Sequence, residues 1–239
     1  MAELAGMNRD RWRQRAQSAS DAFGLVLALV LTTYVLASVI SNRGWPAVLL
    51  TLATGATAVV ALTSSHVRSL VVRRALGLAV LAVLLSAVSA VTGGRPWLSA
   101  ASVIEMGLLA VAMGAVLRRV VTSANVSSRT ILGAISVYAS LGILFTWTYG
   151  LIDRIEGGGF FGTGVAAKGS DLLFFSYTTL TTTGYGDLVP AGQVGRMVSG
   201  LEMMLGQIFL VTLVAGLVSL WRPGEGLLRR RAKRSGEAP

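Results

Sequence analysis

Long apolar stretches alternate with short polar segments along most of the chain. Six of them approach or exceed the roughly 20 residues that a helix needs to cross a bilayer. Lipid offers no partners to open backbone groups, so each stretch is expected to be a helix. The pattern predicts an all-α membrane protein with six transmembrane helices, at Phe23–Ile40, Trp45–Leu62, Ala75–Val91, Trp97–Leu117, Ile131–Leu151 and Val194–Trp221.

A shorter apolar stretch, Asp171–Thr181, lies between the fifth and sixth predicted spans. Its length is typical of a re-entrant or interfacial helix, which enters the membrane without crossing it. Ser170 and Asp171 are residue types that cap helix N-termini, so we expect the helix to begin there. The sequence therefore predicts a re-entrant helix between the last two spans.

Charge supports a membrane location and gives an orientation. Only 13% of the 239 residues are charged, whereas soluble domains carry about 25%. If both termini lie inside, 16 of the 21 Lys and Arg residues fall in inner segments. By the positive-inside rule this predicts a multi-pass protein of the cell membrane with both termini in the cytoplasm. The predicted outer loops hold the other five, Arg43, Arg95, Arg154, Lys168 and Arg196.

Composition excludes several kinds of chemistry. The absence of cysteine excludes disulfides and thiolate metal sites, and the single histidine, His66, leaves little room for a histidine site. We find no paired carboxylates on one helix face and no nucleophile beside a base, so neither an enzyme nor a cofactor is expected. The basic residues lie in short loops, so nucleic acid is not an expected partner. Gly157–Gly162 fits G-x-G-x-x-G, but no βαβ unit surrounds it, and we interpret it as a flexible outer loop.

The segment Thr182–Asp187 has the residues that a potassium site needs. A dehydrated potassium ion needs oxygens in place of its water, and backbone carbonyls supply them if successive ones point to one axis. Gly184 and Gly186 permit the unusual backbone angles that this requires. A threonine at the inner end, Thr182, adds a hydroxyl oxygen. One chain supplies one such segment, so four chains around an axis are expected to complete the site.

This segment resembles the filter of the potassium-channel pore family, whose pattern is Thr-Val-Gly-Tyr-Gly-Asp after a pore helix. The resemblance covers about Leu132–Leu220 and implies a homotetrameric channel in a lipid bilayer, with K+ as the permeant ion. It implies K+ at the carbonyls of four residues, namely Thr182, Thr183, Gly184 and Tyr185, with Gly186 also in the filter. It further implies that Asp187, Phe175 and Thr178 support the filter.

Two positions depart from the family pattern. Thr183 replaces the usual valine, and its hydroxyl is expected to alter packing behind the filter. Phe174 and Phe175 stand where many members carry tryptophan. Because phenylalanine has no hydrogen-bond donor, Tyr185 is expected to be held less rigidly, with faster filter inactivation or looser selectivity as the result.

Three residues within the predicted spans stand out. Gly206 lies where family members often carry a gating-hinge glycine, although close helix packing explains a glycine there equally well. Carboxyl groups in membrane helices are rare and often functional. We predict that Glu202 modulates the pore or braces the filter from behind, and we assign no function to Glu105.

The fourth predicted span argues against a voltage sensor. Voltage-sensing helices carry repeated arginines, and there is no Arg or Lys between Trp97 and Leu117. We therefore expect weak or no voltage dependence. The predicted organisation is a basic N-terminus at 1–22, a four-helix domain at 23–121, a pore domain at 129–221 and a basic tail at 222–239.

Two other functions remain open from the sequence. One is a less selective monovalent cation channel, which Thr183 and the missing tryptophans leave possible. The other is a subunit of a potassium uptake system. Such systems usually carry several filter-like loops in each chain, whereas this chain has one.

Overall fold

The computed structural model describes residues 23–40, 44–122, 128–157, 159–162 and 166–220. All regular structure in these ranges is helical. Five of the helices are long and apolar enough to cross a membrane, which makes this a multi-pass membrane protein. The helices are α1 (Phe23–Val39), α2 (Trp45–Ser64), α3 (Ser69–Thr92), α4 (Arg95–Val121), α5 (Ser128–Ile155), α6 (Gly169–Leu180) and α7 (Gln193–Leu220).

Two described helices are shorter than the roughly 20 residues that usually cross a bilayer. The 17 residues of α1 reach about 25 Å, and the 12 residues of α6 reach about 18 Å. A hydrocarbon core is about 30 Å thick. A sixth span through α1 therefore stays a prediction. The predicted basic segments 1–22 and 222–239 lie outside the described residues, as does Arg43.

The long helices continue beyond the apolar stretches that predict them. The α3 helix begins at Ser69 rather than Ala75 and so includes Arg73 and Arg74. Long basic side chains can extend to the membrane surface while their stems stay on the helix, so charge alone does not end a helix. What ends α3 is Gly93, whose φ of 66° gives the left-handed cap that glycine favours.

The predicted start of the short helix is wrong. The α6 helix begins at Gly169, with Lys168 in the N-cap position and no side-chain cap. Ser170 and Asp171 lie in the first turn instead, where the Ser170 hydroxyl donates to Asp171 at 3.3 Å. A carboxylate there still meets the positive end of the helix dipole, which offsets the missing cap. The helix ends at Leu180, one residue before the predicted end.

The first four helices pack against each other and against the rest of the same chain. The α2, α3 and α4 helices contact one another, α4 also contacts α5, and α1 contacts α2, α5 and α6. At the end of α5, Arg154 donates hydrogen bonds to the hydroxyls of Ser99 and Ser102 on α4, at 3.2 and 2.7 Å. On α1, the Tyr34 ring meets the Tyr177 ring of α6 edge-on at 4.9 Å.

One carboxylate organises the loop between α5 and α6. Oδ1 of the buried Asp153 accepts hydrogen bonds from the backbone N–H groups of Gly159, Phe160 and Ala167, at 3.1 to 3.3 Å. Phe160 is also buried, and its carbonyl accepts from the Ala191 N–H at 2.9 Å. Part of the glycine-rich loop is therefore held by Asp153, and its flexibility stays a prediction. It follows a helix rather than a strand, which does not fit dinucleotide binding.

Candidate ion-conduction site

The backbone after α6 has an alternating conformation. Thr182, Gly184 and Gly186 have positive φ values of 57°, 50° and 82°, while Thr183 and Tyr185 between them do not. Alternating signs of φ let successive peptide groups turn the same way, so that their carbonyl oxygens can face one side. Positive φ is unusual for a β-branched residue, and such strain tends to occur at functional sites.

The start of this segment is held by the last turn of α6. The Thr178 carbonyl accepts hydrogen bonds from two backbone N–H groups, those of Thr183 at 2.8 Å and Gly184 at 3.1 Å. The Thr179 carbonyl accepts from the Thr182 N–H at 2.9 Å. The N–H groups therefore point back toward the helix. The resemblance implies that Thr178 supports the filter, and Thr178 makes this contact through its backbone.

Threonine hydroxyls lie around the start of the segment, next to the end of α6. The Thr182 hydroxyl donates to the Thr181 carbonyl at 2.7 Å. The hydroxyls of Thr181 and Thr183 are 2.9 Å apart, and either one can donate. The hydroxyl that distinguishes Thr183 from the family's valine therefore has a partner within the same turn.

The aromatic neighbours of the segment differ from the expectation. Tyr185 stacks on Phe174, with ring centroids 5.8 Å apart and planes inclined by 14°. Phe175 is buried elsewhere. Its ring centroid lies 5.1 Å from that of Tyr149 and 5.8 Å from that of Phe160. Phe174 therefore contacts the Tyr185 ring directly, and Phe175 packs in a buried aromatic cluster with Tyr149 and Phe160. Asp187 is exposed.

Comparison with known proteins agrees with this geometry. Residues 137–222 match the family described as "Ion channel". A stretch of 49 residues, 20% of this chain, is 45% identical to the voltage-gated potassium channel of Aeropyrum pernix. Both matches support a potassium-channel pore family for this part of the chain.

The matches point to a channel rather than an enzyme, and they extend over part of the chain. The aligned stretch covers 16% of the Aeropyrum pernix channel, and no solved structure matches the chain. The family match begins within α5 and includes α6, the filter-like segment and α7. We refer to these three helices as the outer, pore and inner helices.

The pore helix is joined to the inner and outer helices through Glu202. This carboxyl is fully buried on the inner helix. It accepts a hydrogen bond from the Tyr149 hydroxyl of the outer helix at 2.5 Å, and its Oε1 lies 2.6 Å from the Ser176 hydroxyl of the pore helix. Glu202 therefore lies behind the pore helix, and both of its predicted roles stay predictions.

The contacts of Gly206 support the packing explanation, and the hinge stays a prediction. A Cβ atom at this position would collide with the backbone carbonyl oxygen of Leu180, and would lie 2.8 Å from the Leu180 side chain. The same carbonyl accepts a hydrogen bond from the Tyr138 hydroxyl at 3.3 Å. Gly206 therefore lets the inner helix pass the end of the pore helix at close range.

Glu105 lies apart from this site. It is fully buried on α4, and neither carboxyl oxygen has a hydrogen-bond partner among the described residues. Its Oε1 lies close to Gly55 of α2, at 3.3 Å from the position that a Cβ atom would take there. No function is assigned to Glu105 from the sequence, and its position apart from the pore helix adds none.

Sequence reasoning missed the residues that hold the pore helix. Tyr149 and Ser176 bind Glu202, and the Tyr177 hydroxyl donates to the Ala139 carbonyl of the outer helix at 2.6 Å. The only available signal was a polar residue within each apolar stretch. That signal marks a candidate residue without identifying its partner.

Replacing Gly206 with alanine should destabilise the folded protein. The added methyl meets backbone that cannot move away easily, and overpacking of this kind costs about 1–3 kcal/mol. Thermal unfolding of the purified protein in detergent measures the effect. Gly200→Ala is the matched control, because a Cβ at Gly200 on the same helix meets nothing within 4 Å. Equal melting temperatures for the two variants would contradict the packing explanation.

Proposed function

We propose that the protein is a subunit of a potassium-selective channel, in which four chains form one pore and K+ moves down its electrochemical gradient. The observation that carries the proposal is the alternation of positive φ at Thr182, Gly184 and Gly186, in a segment fixed to the pore helix. A chain folded in this way can present a row of carbonyl oxygens to one axis.

In this channel the carbonyls of Thr182, Thr183, Gly184 and Tyr185 coordinate K+, with the Thr182 hydroxyl at the inner end and Gly186 at the outer end. Carbonyl oxygens can replace the hydration shell of K+. The N–H groups of Thr183 and Gly184 are occupied by Thr178, which leaves their carbonyl oxygens free to face the ion. Repulsion between neighbouring ions helps each ion to leave.

Exposure of the pore segment supports a tetramer. In the single chain, the residues from Thr181 to Asp187 are all exposed, with Tyr185 at 72%. The inner helix exposes an apolar stripe whose members recur every three or four residues and so share one face. Burying these surfaces between neighbouring chains would enclose an ion that one chain cannot enclose. The stripe consists of Met197, Leu201, Met204, Ile208 and Val211.

The position of the pore helix also favours cation conduction. It is too short to span and contacts the outer helix, the inner helix and α1, which is the arrangement of a re-entrant helix. A helix C-terminus carries about half a negative charge. Four such ends directed at the pore axis would stabilise a cation within the membrane. With α1 as the first of six spans, both termini lie in the cytoplasm.

A less selective cation channel is the second candidate. The stacking of Tyr185 on Phe174 fixes the ring plane but supplies no hydrogen bond to its hydroxyl. A filter held in this way can change its width more easily than one braced by donors. A potassium uptake subunit has less support, because the chain carries one filter segment.

Ion flux from liposomes that contain the purified protein tests the proposal. With K+ or Na+ as the sole permeant cation, we expect K+ flux that barium blocks and little Na+ flux. Gly184→Ala should remove the flux, because its φ of 50° is strained for a residue with a side chain. Comparable Na+ and K+ flux would favour the less selective channel and contradict potassium selectivity.

Conductance should depend weakly on voltage. Within α4, the basic residues are Arg95 in the first turn and Arg118 and Arg119 in the last. None of them lies between Trp97 and Leu117, the central part of the helix, where moving charge would sense the field. Currents in planar bilayers measure this dependence. A steep conductance–voltage curve that corresponds to several gating charges would contradict the prediction.

A further inference from the structure

The Ser176 hydroxyl has two close oxygen neighbours and a single proton. Its oxygen lies 2.8 Å from the Gly142 carbonyl oxygen and 2.6 Å from Oε1 of Glu202. A hydroxyl donates one hydrogen bond, and neither a carbonyl nor an ionised carboxylate can donate any. With an ionised Glu202, one of these two short contacts would join two oxygens with no proton between them.

We propose that Glu202 is a neutral carboxylic acid and that its proton positions the pore helix. Tyr149 then donates to Oε2 of Glu202, Oε1 donates to Ser176, and Ser176 donates to the Gly142 carbonyl. Every hydroxyl in this chain donates once, and all the bonds run in one direction. Hydrogen bonds arranged in this way strengthen one another.

The surroundings of Glu202 suit the neutral form. The side chain is fully buried, and its hydrogen-bond partners among the described residues are hydroxyl groups rather than cations. Among the described residues, Tyr138 and Tyr177 also interact with it electrostatically, and a tyrosine is uncharged under ordinary conditions. An ionised carboxylate without a cation is costly in such a place.

The hydrogen-bonded chain connects all three helices of the pore segment. Gly142 and Tyr149 belong to the outer helix, Ser176 to the pore helix and Glu202 to the inner helix. Ser176 lies two residues before Thr178, whose carbonyl holds the start of the filter. Glu202 is therefore a positioning residue that acts on the filter through Ser176. This inference rests on the proposed function only where it concerns ion selectivity.

The first test compares Glu202→Gln with Glu202→Met in full-length protein in liposomes. Glutamine supplies one donor for Ser176 and one acceptor for Tyr149, and methionine supplies neither. We expect the K+/Na+ permeability ratio to stay near wild type with glutamine and to fall about tenfold with methionine, which corresponds to about 1.4 kcal/mol. Equal losses in the two variants would overturn the proposal. If Glu202→Met does not assemble, Ser176→Ala breaks the same link with a smaller change.

The second test needs no ion flux and so remains valid if the channel function is wrong. Infrared spectra at neutral pH should show the carbonyl absorption of a protonated carboxyl that Glu202→Gln removes. Glu105→Gln is the matched control, because it removes the other fully buried carboxyl described here and should leave the Glu202 absorption in place. Identical spectra for wild type and Glu202→Gln in this region would overturn the proposal. Absence of K+ flux from wild type with the absorption present would reject only the channel function.

Discussion

The pore segment depends on contacts that hold a 12-residue helix in place. This helix is too short to be fixed by the two membrane surfaces, and lipid cannot satisfy its polar groups. Two hydroxyls join it to the outer helix, its own Tyr177 hydroxyl and the Tyr138 hydroxyl of the outer helix. The inner helix contacts it through Glu202 and passes its end at Gly206. The filter-like segment in turn begins on the Thr178 carbonyl of the same helix. Its backbone geometry therefore follows from the position of the pore helix.

The first four helices, as a group, also contact the pore helix and the outer helix that holds it. The α1 helix contacts the pore helix through Tyr34 and Tyr177, and α4 contacts the end of the outer helix through Arg154. Both contacts lie within one chain. A movement of the four-helix unit would therefore act on the pore helix and on the loop that Asp153 organises. Because α4 carries basic residues only near its ends, a stimulus other than voltage is the expected cause of such movement.

The sequence predicts the helices and the filter motif better than it predicts their partners. Apolar runs locate the long helices because lipid leaves the helix as the only stable form, but they miss the start of α3 since arginine does not end a helix. Two adjacent phenylalanines do not reveal which one meets Tyr185, because that depends on how the pore helix is rotated. Ser176 and Glu202 are 26 residues apart and meet only through folding. The proton that we propose between them follows from counting hydrogen-bond donors at the distances in the structure. The sequence alone does not contain those distances.

Equilibrium binding of K+ to the purified protein tests the central claim most directly, since it does not require an open gate. Calorimetric titration with K+ and with Na+, in a buffer whose only other cation is too large for the filter, compares the two ions at the same site. The account predicts K+ binding, weak or absent Na+ binding, and loss of the K+ signal in Gly184→Ala with the oligomer intact. Equal binding of both ions, or K+ binding that survives Gly184→Ala, would contradict a potassium site formed by Thr182–Tyr185.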